Sequence, residues 1–277
     1  MSQDSVVSDG DRWMARNVTV GGTASTDRVA EVLSLFISGP AAMGVSEVAR
    51  ELGLSKAVVH RIFRSLSKHG FLQEGADTRA YRLGPAAVAL GARGLRDLDM
   101  RRAARPVLEE LRDQTGETTT LSEVLGTQRV YLDQLESRHT IRMTVELGRL
   151  HPLYAGGTGK AILAFLDKDR RESVFRQGLT RLTDTTITDP GALMTELEQI
   201  VSRGFAVSIG ERQHDAGSVA APIFDSGGLA IGALSVCGPA GRFDSEAIAR
   251  YARLVIAASA RVSRVMGWAG SAGGGGL

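Results

Sequence analysis

The most chemically informative side chains are the basic ones within residues 55–69. This segment contains no acidic residue, and its candidate DNA-contacting residues are Lys56, His60, Arg61, Arg64 and Lys68. Arginine and lysine donate hydrogen bonds to base acceptors in the DNA major groove and to phosphates, and each neutralised phosphate adds salt-dependent affinity. The segment therefore predicts a DNA-binding surface. The alternative is an ordinary solvated charged face.

Apolar periodicity predicts that this basic segment is the second helix of a helix-turn-helix. Its apolar residues share the opposite face, and they are Val59, Ile62, Phe63 and Leu66. Ser55 opens the helix and Gly70 ends it, while a shorter helix over Val45–Leu52 precedes it across a tight turn at Gly53. An earlier amphipathic helix begins after Ser25-Thr26-Asp27 and stops at Gly39-Pro40.

Two short strands are predicted after the basic helix and would form a wing. They are Phe71–Gln73 and Tyr81–Leu83, on either side of the turn-rich residues 74–78. Arg79, Tyr81 and Arg82 are candidates for contacts with the DNA backbone or minor groove. For Tyr81 the alternative is that its ring packs onto the basic helix.

The distribution of charge supports a nucleic-acid-binding face at one end of the chain. The 277 residues have a net charge of +2, yet residues 24–105 contain 13 basic and 8 acidic side chains, whereas residues 106–277 contain 18 and 20. A basic excess confined to one segment is typical of local contact with a polyanion. The hydrophobic content of 43% is sufficient for two modest cores.

The sequence favours a cytoplasmic protein without catalytic groups. No apolar stretch approaches the roughly 20 residues that cross a bilayer, no signal peptide is evident, and the single cysteine, Cys237, fits a reducing compartment. A nucleophile elbow and a convincing carboxylate pair for acid–base chemistry are both lacking. Glu211, His214 and Asp215 are more typical of caps and solvated side chains than of a metal site. We therefore expect no metal and no cofactor.

Residues 106–266 alternate predicted strands and helices, which favours an α+β domain with a central antiparallel sheet. The predicted strands are Thr118–Leu125, Arg129–Leu135, Ile141–Glu146, Ala206–Ile209, Ser218–Phe224 and Leu229–Val236. The predicted helices are Val107–Gln114 opened by Pro106, Thr158–Leu166, Pro190–Arg203 capped by Asp189, and Asp244–Val265. Pro85 to about Arg101 is a predicted connector, so the expected domains are 24–84, a linker helix over 85–105, and 106–266, between disordered tails of 1–23 and 267–277.

A glycine-rich run, Gly156-Gly157-Thr158-Gly159-Lys160, precedes one of these helices. It is not a phosphate-binding P-loop, because that motif would require glycine at Tyr154 and serine or threonine at Ala161. As a helix start, Gly157, Thr158 and Gly159 could offer backbone N–H groups to a ligand carboxylate. Tight helix packing is the alternative.

Seven segments of the chain, in order, resemble the isocitrate lyase regulator (IclR) family of bacterial transcriptional regulators. They are Thr26–Leu33, Glu47–Leu54, Val59–Ile62, Tyr81–Gly84, Gly157–Ala164, Ala220–Asp225 and Leu234–Pro239. The resemblance covers about residues 24–266. Three positions depart from the family pattern: Val58 stands where a hydroxyl residue is common, Asp215 where glycine is common and Ser218 where cysteine is common.

The resemblance implies a winged helix-turn-helix joined by a linker helix to a GAF-like effector-binding domain that forms homodimers or homotetramers. It places Ser218, Ser235 and Cys237 in the effector pocket, where small polar groups would orient a compact ligand. The alternative is that these groups are satisfied within the sheet. The sequence thus predicts a repressor that binds a palindromic double-stranded DNA operator and responds to a small organic acid. An enzyme with an accessory nucleic-acid-binding module and an architectural DNA binder are the competing hypotheses.

Overall fold

The computed structural model describes residues 24–75, 80–97 and 99–270, which belong to two compact units divided between Asp97 and Leu98. The N-terminal unit contains α1 (Ala24–Ser38), β1 (Met43–Gly44), α2 (Val45–Leu52), α3 (Lys56–Lys68), β2 (Leu72–Glu74), β3 (Ala80–Leu83) and α4 (Pro85–Asp97). The C-terminal unit contains α5 (Asp99–Thr115), β4 (Thr118–Leu125), β5 (Gln128–Leu135), β6 (Leu150–Pro152), α6 (Gly157–Leu163), α7 (Lys168–Arg176), α8 (Pro190–Arg203), β7 (Ala206–Ile209), β8 (Ala216–Phe224), β9 (Ala230–Pro239) and α9 (Ser245–Val265).

The N-terminal unit is a three-helix core with a small antiparallel sheet. Its core includes Val32, Val48, Val59 and Phe63, all fully buried, so the predicted apolar stripes of the three helices meet one another. The predicted wing is confirmed, because β2 pairs with β3 in antiparallel register. The two-residue strand β1 was not predicted. It exists because β1 adds to the free side of β3, a tertiary contact that so short a sequence does not signal.

The C-terminal unit is built on a six-stranded antiparallel sheet with the order β6-β5-β4-β9-β8-β7. Consecutive residues are buried along β4, β8 and β9, which requires cover on both faces of the sheet. Helices α5 and α9 pack on each other and on β4 and β8, and α6 packs on β8, β9 and α8. The expected α+β domain with a central antiparallel sheet is confirmed. No helix in the described ranges is long and apolar enough to cross a membrane.

The predicted strand Ile141–Glu146 is wrong, and the sixth strand is β6 instead. The segment is bonded to its neighbours through side chains rather than through a backbone ladder. The Gln134 amide accepts a hydrogen bond from Val145 N at 3.0 Å and donates one to Val145 O at 2.9 Å, and Thr118 Oγ1 donates to Met143 O. These bonds satisfy backbone groups of the segment in place of strand pairing. The side chains still alternate between more and less exposed positions, as they would in a strand.

Two further expectations are corrected, and one helix was not predicted. Pro106 does not open a helix but lies inside α5, which begins at Asp99. The part of α5 that precedes Pro106 is held by ion pairs from Arg101 and Arg105 to the buried Asp133. Helix α7 was missed because it buries only Val174 and so lacks an apolar stripe. The expected tail begins later than residue 267, since the Trp268 ring lies 5.0 Å from that of Phe224. Residues 1–23 and 271–277, the rest of the expected tails, lie outside the described residues.

Two glycines of the N-terminal unit give a matched test of how closely its backbone segments pack. A Cβ at buried Gly84 would collide with the carbonyl oxygen of Gly70, whereas a Cβ at Gly91, exposed in α4, would meet nothing within 4 Å. We expect Gly84→Ala to destabilise the unit by about 2 kcal/mol through overpacking, and Gly91→Ala to stabilise it by up to ~1 kcal/mol through helix propensity. Denaturant unfolding followed by circular dichroism measures both. Equal stabilities would contradict the close approach at Gly84.

Candidate functional site

Helix α3 presents its basic side chains to solvent. Ser55 begins the helix by accepting a hydrogen bond from Val58 N, and the buried residues Val59, Phe63 and Leu66 fix which face turns inward. The five predicted side chains are all exposed: Lys56, His60, Arg61, Arg64 and Lys68. None of them forms an ion pair with a carboxylate of the described residues. Their donors are therefore available to a polyanion.

The angle between α2 and α3 is set by a three-residue turn. Gly53 adopts φ 65°, a left-handed conformation that a side chain disfavours, and Leu54 N donates to Ala49 O at 2.9 Å. The turn thus places α3 so that its apolar face packs on α2 and its basic face is exposed.

The wing residues have different roles. Arg82 is exposed on β3 and remains available for DNA contact. The ring of Tyr81 is buried, with its centroid 4.6 Å from that of Phe63 in an edge-on arrangement, which favours the packing alternative for this residue. Arg79 lies outside the described residues.

In the C-terminal unit, five of the six predicted effector residues line one cavity of about 40 Å³ between the sheet and the start of α6. They are Gly157, Thr158, Ser218, Ser235 and Cys237, and we call this the sheet cavity. Gly159 does not line it. A Cβ there would lie 2.7 Å from the carbonyl oxygen of Leu153, so Gly159 supports the helix-packing alternative.

Several of the predicted polar groups already have partners within the protein. The hydroxyls of Ser235 and Thr120 are 2.7 Å apart, and Gly157 N donates to Ser218 Oγ at 3.2 Å. At the start of α6, Gly156 has φ 85° and its N–H donates to Glu211 Oε2. These hydroxyls can still accept or donate a further bond, but the Gly156 and Gly157 N–H groups are engaged.

Glu211, considered in sequence as part of a metal site, belongs instead to a buried ion cluster. Lys160 Nζ donates to Glu211 Oε1 at 2.6 Å and to Glu196 Oε1 at 3.1 Å, and both Lys160 and Glu211 are buried. Thr186 Oγ1 also donates to the Glu211 carbonyl. The cluster anchors the loop between β7 and β8, and with it the next residue, Arg212.

The structure adds Arg129 and Arg212, which sequence reasoning missed, to the cavity lining. Arg129 is 1% exposed, and its Nε and Nη1 atoms have no hydrogen-bond partner. Its guanidinium carbon lies 4.7 Å from the Tyr131 ring centroid, and that of Arg212 lies 5.8 Å from the same centroid. The sequence contained one indication of the position of Arg129. Side chains alternate between the two faces of a strand, so Arg129 shares a face of β5 with Tyr131.

The two arginines give the sheet cavity an uncompensated positive charge. Within the described ranges no carboxylate lies within ion-pair distance of either, since Glu211 is paired with Lys160 and nearby Glu117 with Arg242. Burial and the neighbouring arginines lower the pKa of His151 to about 2, and burial raises the pKa of Cys237 to about 12. Both groups are neutral near pH 7. An anion is therefore the ligand that the cavity's electrostatics favour.

Comparison with known families accounts for both units. The model described as the IclR helix-turn-helix domain matches residues 25–75, and the model described as the bacterial transcriptional regulator IclR C-terminal matches residues 92–264. Together they cover the basic helix and the sheet cavity.

Individual relatives agree over most of the chain. The HTH-type transcriptional regulator BhcR of Paracoccus denitrificans is 34% identical, over 88% of this chain and 87% of its own. The transcriptional repressor IclR of Escherichia coli is 26% identical, over 89% and 91%. The crystal structure of an IclR homologue from Microbacterium hydrocarbonoxydans complexed with 4-hydroxybenzoate is 25% identical, with a TM-score of 0.72 over 88% of this chain and 99% of its own. The competing hypothesis of an enzyme is set aside by relatives that are named transcriptional regulators.

The neutral His151 predicts a measurable pH dependence of stability. Between its folded pKa of about 2 and the ordinary value of 6.5, the imidazole takes up a proton only on unfolding. The free energy of unfolding should therefore fall as pH falls below 6.5, by up to ~1.4 kcal/mol per pH unit from this residue. Urea unfolding between pH 5 and 7.5 should show a shallower slope for His151→Gln than for the control His139→Gln, whose side chain is exposed. Identical slopes would refute a neutral, half-buried His151.

Proposed function

The chain belongs to the IclR family of bacterial transcriptional regulators, and we propose that it is a repressor of a catabolic or metabolic operon whose DNA binding is controlled by a small organic acid. The observation that carries the proposal is the buried, unpaired guanidinium of Arg129 in the sheet cavity. A cation removed from water without a counter-ion is costly to the fold, and binding of an acid would offset that cost. As a DNA-binding regulator it would act in the cytoplasm.

On the DNA side, α3 serves as the recognition helix. Arg61 and Arg64 lie one turn apart on the exposed face and are candidates for base contacts, while Lys56 and Lys68 at its two ends are candidates for phosphate contacts. His60 and the wing arginines, Arg79 and Arg82, extend this surface. One helix reads only a short half-site, so a homodimer or homotetramer on a palindromic operator is expected.

On the effector side, Arg129 binds the carboxylate of the acid, while Ser218, Ser235 and the Cys237 thiol contact the rest of the molecule. Gly157 and Thr158, at the start of α6, complete the lining. The Microbacterium relative solved with 4-hydroxybenzoate supports the choice of an organic acid. The Escherichia coli relative named a repressor supports the sign of regulation. An acid that binds one oligomer geometry more tightly would shift the spacing of the recognition helices.

Substitutions in α3 test the DNA side. We expect Arg61→Ala and Arg64→Ala each to weaken operator binding by about 1 to 3 kcal/mol, because each removes a base contact. Lys68→Ala should act chiefly by reducing the salt dependence, because it removes one phosphate contact. Gel-shift titrations at two salt concentrations, on an operator selected in vitro, separate these effects. The control is Arg176→Ala, an exposed arginine at the end of α7. Unchanged affinity in all three α3 variants would rule out α3 as the recognition helix.

Arg129→Met tests the effector side through two effects of opposite sign. Removing a buried, unpaired charge should raise the free energy of unfolding of the ligand-free protein by about 1 to 3 kcal/mol. The same variant should lose the increase in melting temperature that short aliphatic or aromatic acids give to the original chain. Thermal-shift and urea-unfolding experiments measure both. A destabilised variant that still binds acids would mean that Arg129 is structural.

A further inference from the structure

We propose that the effector is a dianion, a short dicarboxylic acid, with one carboxylate bound by Arg129 and the other by Arg212. This inference rests on the proposed function, since it specifies the acid that the sheet cavity takes. Two cations line the cavity and no carboxylate of the described residues balances either of them.

Arg129 is the deeper of the two groups proposed to bind a carboxylate. Its side chain is almost completely buried, two of its nitrogens lack any partner, and burial lowers its pKa. The Tyr131 ring is its cation–π partner and cannot neutralise it. A carboxylate reaching Arg129 would gain a charge-assisted bond that nothing in the ligand-free protein provides.

Arg212 supplies the second position, nearer to solvent. It is partly exposed, and its backbone is fixed because the preceding residue, Glu211, is bonded to Lys160 Nζ and to Gly156 N. That carboxylate is therefore committed to the ion cluster and is not available to Arg212. The guanidinium carbons of Arg129 and Arg212 lie 4.7 Å and 5.8 Å from the centroid of the Tyr131 ring, so they are at most 10.5 Å apart. A short diacid with one carboxylate against each guanidinium spans a separation of that order.

The other groups around the cavity leave this charge count unchanged. Ser208, Ser218, Ser235 and Thr144 contribute hydroxyls, Gln213 an amide and Cys237 a neutral thiol. A monocarboxylate would leave one guanidinium without a counter-ion once the ligand displaces water, whereas a dicarboxylate neutralises both. The preference for the dianion should therefore be large and should depend on Arg212.

Calorimetry on the full chain with acids of equal carbon number tests this directly. We expect succinate to bind at least tenfold more tightly than butyrate, and glutarate at least tenfold more tightly than pentanoate, at pH 7.5. Arg212→Gln should remove that preference by weakening the dicarboxylates at least tenfold and the monocarboxylates less than about threefold. Arg149→Gln removes an exposed arginine close to His151 but outside the cavity lining, and should retain the preference.

The outcomes separate this inference from the proposed function. If monocarboxylates bind as tightly as dicarboxylates and Arg129→Met abolishes both, acid binding stands and the dianion is overturned. An equal loss of affinity for both classes in Arg212→Gln also overturns it. In that case Arg212 would contribute to the positive potential of the cavity for any anion and would not bind a second carboxylate. If neither aliphatic class binds to the original chain but an aromatic acid such as 4-hydroxybenzoate does, acid binding stands and the dianion is overturned. If no aliphatic or aromatic acid binds, the acid-binding function itself fails.

Discussion

A positive charge buried without a counter-ion is the physical constraint on which the C-terminal unit depends. Arg129 is almost completely buried, and around it the protein offers only an aromatic ring and neutral polar groups. Such a group costs stability unless other packing offsets the cost, here the apolar layers that α6 and α8, and α5 and α9, form with the six-stranded sheet. In the proposed function, the stability given up in the ligand-free protein is the source of the differential affinity for an effector.

The carboxylates near the cavity are kept away from its arginines. Glu211 is held by Lys160 and by a backbone N–H of Gly156, and Glu117 forms a close ion pair with Arg242. If either carboxylate turned toward Arg129, it would neutralise the site and compete with a ligand. The buried ion cluster at the start of α6 thus has two consequences, because it fixes the loop that carries Arg212 and it preserves the charge of the cavity.

Strand β5 connects the cavity to the helix that begins the C-terminal unit. Arg129 and Tyr131 face the cavity, and two residues further along, Asp133 forms ion pairs with Arg101 and Arg105 of α5. A β-bulge opposite the step between Leu121 and Ser122 changes the alternation of side chains between these residues. The same strand therefore holds the proposed ligand on one face and α5 on the other. In the N-terminal unit, the apolar stripe of helix α3 packs inward, and its basic face is therefore exposed.

Local sequence determined the helix-turn-helix, because stripes such as Val59-Phe63-Leu66, the Ser55 cap and the Gly53 turn act within a few residues of one another. It also determined that Ser218, Ser235 and Cys237 would lie close together, since neighbouring antiparallel strands carry them. Only the tertiary structure decided the rest. The segment Ile141–Glu146 is not a strand because Gln134 bonds its backbone. Arg129 is a candidate site residue because no carboxylate of the described residues forms an ion pair with it. The energetic role of a charge depends on groups far away in sequence, and local patterns do not report what surrounds it in the folded chain.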